Sequence, residues 1–158
     1  MTPPAWTDIE ADLDMAARQA VRASASAALL AEREGIDRES YGLAIGKHLH
    51  DAYCAAEKAL ERLVELVDGD VPQGRTFHRD LLRRAARAVD GVRPAIISPE
   101  SEKSLAELLG FRHVFRHVYE GFDYRKAAPN VELAARAIPR LREEITAFAA
   151  SLGLAPRA

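Results

Sequence analysis

The chain has 158 residues with 22 basic and 24 acidic side chains, a net charge of −2, 48% hydrophobic residues and 29% charged ones. That length suits one globular domain spanning 1–158 with a core that needs no disulfide or metal staple, and the single cysteine, Cys54, rules out an internal disulfide and points to a reducing, cytoplasmic setting. No run approaches the roughly 18 apolar residues of a membrane span, the N-terminal segment lacks the layout of a secretory leader, and the near-neutral charge excludes a dedicated duplex-DNA binder while allowing a local basic site.

Thirty alanines against nine glycines favour helix throughout. Trp6, Ile9, Leu13, Ala16, Ala17, Ala20 and Ala27 recur at helical spacing and predict a first helix over about 6–32, ended by Gly35. Asp37 is the expected cap of a second helix over about 38–67, with Ile45, Leu49, Ala52, Ala56, Leu60, Leu63 and Val67 inward. The glycines and proline of 68–74 mark a loop, and a shorter helix follows over about 75–89. Arg93-Pro94 disfavours helix in the connector 91–97. Ser98-Pro99-Glu100 is a helix start with a capping hydroxyl, proline at the first position and an acid in the first turn. That fourth helix is expected to reach Tyr119, with Leu105, Leu108, Phe111, Phe115 and Val118 on one face. The segment 121–128 reads as irregular, and a last helix over about 130–152 carries Pro139, which should kink it. No strand pattern competes. The expected fold is all-α, an antiparallel four-helix bundle with one additional short helix.

Chemistry concentrates in Phe111-Arg112-His113-Val114-Phe115-Arg116-His117-Val118-Tyr119. At about 100° per residue, Arg112, Arg116 and Tyr119 share one stripe, His113 and His117 its neighbour, and all five point away from the apolar face. Three readings compete. The plainest is a core helix with a solvated polar side. A metal site on His113 and His117 has the right spacing, but two arginines would repel the cation and no third ligand is evident. RNA cleavage is the third, with a histidine taking the ribose 2′-OH proton and an arginine stabilising charge on the phosphate, without metal.

The Arg112-to-His117 segment matches the Arg-x4-His signature of the HEPN superfamily, and Tyr119 extends it to Arg-x4-His-x-Tyr, which resembles the HepT branch, the toxin half of HepT/MntA modules. Phe77-His78-Arg79-Asp80-Leu81-Leu82, Arg93-Pro94 and Ser98-Pro99 are similar in style to HepT-like chains, and the resemblance is strongest over 37–152. It implies a HEPN-like helical bundle and a metal-independent endoribonuclease that needs no cofactor. Arg112 and His117 would be the catalytic pair and His113 an assisting group. Tyr119 would be the residue that an MntA-like nucleotidyltransferase antitoxin modifies with AMP. A non-catalytic HEPN adaptor, binding a nucleotidyltransferase or a nucleotide, is the alternative.

Residues five apart on a straight helix diverge by about 140° and rise about 7.5 Å, so a homodimer axis beside this helix would be needed to bring both copies of the motif into one cleft. Arg116, Arg125 and Lys126 are expected to touch RNA. Arg79, Arg83 and Arg87 are expected to pair with Glu57, Glu61 and Glu65 in a ladder, or else to form a basic track for phosphates. His48 and His50 read as surface or interface residues, His78 as a local hydrogen-bonding group beside Asp80, and Cys54 as a small buried residue.

Overall fold

The computed structural model describes residues 3–116 and 122–155. It is an all-helical bundle of five helices: α1 (Pro4–Leu30), α2 (Gly35–Asp68), α3 (Phe77–Ala85), α4 (Pro99–Arg116) and α5 (Tyr124–Ser151). The long α2 packs against every other helix, whereas α1 packs only on α2 and α5. The four long helices and the short α3 are those that the apolar periodicity anticipates.

The core stripes follow the spacing. Trp6, Ile9, Leu13, Ala16 and Ala20 of α1 are buried against Ile45, Leu49, Ala52, Ala56, Leu60 and Leu63 of α2. Leu81, Leu82 and Ala85 from α3, Leu105, Leu108 and Phe111 from α4, and Ile138, Leu141 and Ile145 from α5 join the same cluster. Each leucine, isoleucine or phenylalanine among them contributes about 1.5–3 kcal/mol on leaving water, and each alanine less.

Helix ends differ from the sequence reading in four places, the first being α3, which stops at Ala85 rather than near 89. Gly35 does not end α1; the helix stops at Leu30, and Gly35, at φ +60°, is the first residue of α2. Asp37 lies within the first turn of α2 rather than capping it, and Arg38 instead donates to the Leu30 carbonyl at 3.1 Å, satisfying an orphan acceptor of α1. The segment 124–128 is helical, because the Asp123 carboxylate accepts the Arg125 backbone N–H at 3.0 Å and starts α5 early. Pro139 and Pro129 both lie inside that helix. The α4 start agrees with expectation: the Ser98 hydroxyl accepts the Ser101 N–H at 3.1 Å.

The connector before α4 is held by Arg93, whose side chain is 1% exposed and makes a double hydrogen bond to Asp68 at 2.5 and 2.9 Å. The same guanidinium donates to the carbonyls of Arg84, Arg87 and Pro94. A buried charge is tolerable when its donors are used in this way. The clamp fixes the end of α2, the end of α3 and the approach to α4 relative to one another.

Candidate functional site

The outer part of α4 carries Arg112, His113 and Arg116, and α2 runs beneath it. Contact between the two helices is close because Gly46 has no side chain: a Cβ there would lie 2.5 Å from one Phe115 ring carbon and 3.2 Å from Phe122. Phe115 and Phe122 meet edge to face at 5.3 Å, Phe111 and Phe115 stack at 6.1 Å, and His50 lies against Phe115 at 6.1 Å. This aromatic cluster seats the end of α4.

Arg112 does not point wholly outward, as the helical stripe suggests. It is half-buried, and its Nε donates to the Cys54 sulfur of α2 at 3.2 Å. Cys54 also touches His50 at 3.8 Å, so the thiol sits among functional side chains rather than in an inert core. His113 and Arg116 are exposed. The other two motif residues, His117 and Tyr119, lie outside the described residues.

Three residues beyond Cys54, α2 presents Glu57. Its side chain is 10% exposed and one oxygen accepts both the Tyr53 hydroxyl at 2.6 Å and His78 Nδ1 at 2.7 Å. Burial first, and then the Glu57 charge, push the Tyr53 phenol far above its ordinary value, so it stays a donor. His78 is therefore not a local partner of Asp80. Asp80 accepts the Thr76 hydroxyl instead, and Phe77 packs edge-on to the His78 ring at 5.3 Å.

Arg112 and His78 open on one groove between α3 and α4, about 560 Å³ in volume, whose ionisable lining is Arg75, His78, Arg79, Arg112, His113 and Arg116. Among the described residues no carboxylate lines it. Four guanidiniums and two imidazoles around one cavity give it the charge and hydrogen-bond donors that suit an anion. The described residues hold no group of histidines, cysteines and carboxylates able to bind a metal ion.

The arginine–glutamate ladder does not form. Glu57 turns inward to Tyr53 and His78, Glu61 meets Lys58 at 3.7 Å, Arg84 pairs with Asp70 at 2.6 Å and Arg83 with Asp80 at 3.7 Å. With only nine residues, α3 offers too short a face for it. Arg83, Arg84 and Arg87 border a different depression, whereas Arg79 joins the α4 groove. Arg125 is bound to Asp123 and lines a cavity near the start of α2, away from Arg112, and Lys126 is exposed beside it on α5. Arg75, His78 and Arg79 share the groove with Arg112, and Arg125 lines another cavity. Arg75 lies in the turn before α3, and His78 and Arg79 lie in its first turn, so no helical period links the three.

His48 Nδ1 donates to the Gln19 side-chain oxygen at 2.7 Å, tying α2 to α1, and burial followed by the Arg22 charge lowers its pKa below the ordinary 6.5. No helix among the described residues is long and apolar enough to cross a membrane.

A family model described as HepT-like protein matches residues 44–152, which takes in the whole groove and leaves α1 outside. No curated protein and no solved structure matches the chain.

Proposed function

We propose a function from one premise: the chain belongs to the HepT-like family, within the HEPN superfamily. The protein is a metal-independent endoribonuclease, the toxin of a toxin–antitoxin pair. Its antitoxin is an MntA-like nucleotidyltransferase that silences it by moving AMP onto Tyr119. The observation that carries this reading is the groove in which Arg112 and His113 stand with three further arginines and, among the described residues, no carboxylate.

A phosphodiester is drawn into such a groove by charge, and the RNA backbone would lie along Arg75, Arg79 and Arg116. The half-buried Arg112, oriented through Cys54, stabilises the extra negative charge of the pentavalent phosphorus. His117 removes the 2′-OH proton, and His113 orients the phosphate. A homodimer whose axis runs beside α4 would supply Arg112 and His117 of one cleft from two copies. Val114, an apolar side chain 42% exposed between the motif residues, offers a contact for the second copy. AMP on Tyr119 would add bulk and negative charge where the phosphate must bind.

The test is cleavage of total RNA in excess EDTA by purified protein, beside Arg112→Ala and His117→Ala, with intact mass recorded to detect AMP. Cutting by unmodified wild type that both substitutions abolish is the expected result. No cutting by an unmodified dimer would reject the nuclease and leave the adaptor.

A further inference from the structure

We propose that His78, held by Glu57, is the general acid of the groove, the group that returns a proton to the oxygen leaving the cleaved phosphodiester. The inference rests on the RNA-cleavage reading above.

Transfer of a phosphoryl centre from the 5′-oxygen to the 2′-oxygen has two proton problems at opposite ends of an in-line displacement. The 2′-O–P bond forms as the 2′-OH proton goes to a base, and the P–O5′ bond breaks as the departing 5′-oxygen takes a proton from an acid. The products are a 2′,3′-cyclic phosphate and a 5′-hydroxyl. The motif histidine answers one of these needs. The groove holds a histidine from a different helix that is built for the other.

The construction is specific. An ionised carboxylate only accepts hydrogen bonds, so the 2.7 Å contact to Glu57 fixes the proton of His78 on Nδ1. That leaves Nε2 as the nitrogen available to the groove that His78 lines. Glu57 is itself pinned by the Tyr53 hydroxyl at 2.6 Å on the same oxygen, so the imidazole is held by a hydrogen-bonded chain whose two inner members, Tyr53 and Glu57, are largely buried. One helix orders both halves of the site: Cys54 carries Arg112 and Glu57 carries His78, three residues apart on α2, a rise of about 4.5 Å. A histidine needed only to satisfy Glu57 would not have to stand at the rim of an arginine-lined groove with its side chain 37% exposed.

The discriminating substrate is a ribonucleoside 3′-phosphate esterified with p-nitrophenol, whose leaving group departs as a phenolate and needs no proton. Wild type, His78→Ala, His78→Gln and Arg112→Ala are compared on this ester and on an RNA oligonucleotide, with melting curves recorded. His78→Gln keeps a donor for Glu57 and so guards against misfolding. Both His78 variants are expected to lose about a hundredfold or more on RNA while changing only a few-fold on the aryl ester. Equal losses on the two substrates by a folded variant would overturn the acid role, as would no loss on either. If Arg112→Ala abolishes RNA cleavage and neither His78 variant does, the role of His78 falls while the nuclease stands. If unmodified wild type cuts neither substrate, the nuclease reading and this role fall together.

Discussion

Arg112 of α4 donates its Nε to the sulfur of Cys54 on α2 across 3.2 Å. Sulfur is a weak acceptor, so the contact holds the guanidinium plane without draining much of its capacity for an anion. Nε is the inner nitrogen of the fork, and both Nη groups lie farther out. Replacing Arg112 by Lys is expected to lower kcat on RNA about a hundredfold, because a single ammonium cannot grip two phosphate oxygens as a fork does. Cys54→Val, which removes the acceptor at similar volume, is expected to cost a few-fold in kcat with the melting temperature little changed. A Cys54→Val variant that cleaves RNA as fast as wild type would show that the sulfur does not orient Arg112.

Gly46→Ala tests the seat of α4. In an open helix this change stabilises by about 0.5–1 kcal/mol. Here the new Cβ would sit 2.5 Å from the Phe115 ring, and that ring is locked by Phe111, Phe122 and His50. Overpacking of this kind costs about 1–3 kcal/mol, so the net sign is expected to reverse. Urea unfolding should show the variant less stable than wild type, with RNA cleavage reduced as α4 shifts.

Arg93→Met would leave Asp68, whose side chain is 11% exposed, and three backbone carbonyls without their donor. Breaking one partner of a buried pair costs about 3–5 kcal/mol, and the expected readout is a large fall in urea midpoint. Arg93→Lys should recover little of it, since one ammonium cannot serve Asp68 and the carbonyls at once.

The pH dependence of stability should carry a histidine signature from His48. Its folded pKa is lowered, chiefly by burial, so the unfolded chain binds the extra proton first as pH falls below 6.5. Its contribution is therefore fully present above that pH and is lost as pH drops toward the folded value. Stability curves measured across this range should flatten in His48→Gln, and an unchanged slope would remove His48 as a source.

The core was legible because burial and helical period coincide: Ile45, Leu49, Ala52, Ala56, Leu60 and Leu63 are all inside. The motif helix was legible through residues that share one short segment. The other wall of the groove was not, because it depends on contacts between distant positions. His78 meets Glu57 across 21 residues and Arg112 meets Cys54 across 58, separations that no local pattern encodes. The neighbouring acid Asp80 supplied an easier explanation for His78, and the regular Glu57, Glu61, Glu65 spacing suggested partners that the short α3 does not reach. The start of α5 was missed for a subtler reason: Asp123 caps from within a stretch whose composition reads as a loop.

The position of α2 also bears on the order in which the molecule assembles. α1 and α2 are joined by four residues, 31–34, and bury Trp6, Ile9 and Leu13 against the apolar stripe of α2, so their pairing closes a short loop. The groove needs α3 and α4 to land on the same helix, carrying His78 and Arg112 to partners far back in the chain. Local pairings form faster than distant ones. The expected sequence in pulsed hydrogen exchange is early protection of the α1–α2 hairpin and late protection of α4, so that a nascent chain acquires its scaffold before the groove is assembled.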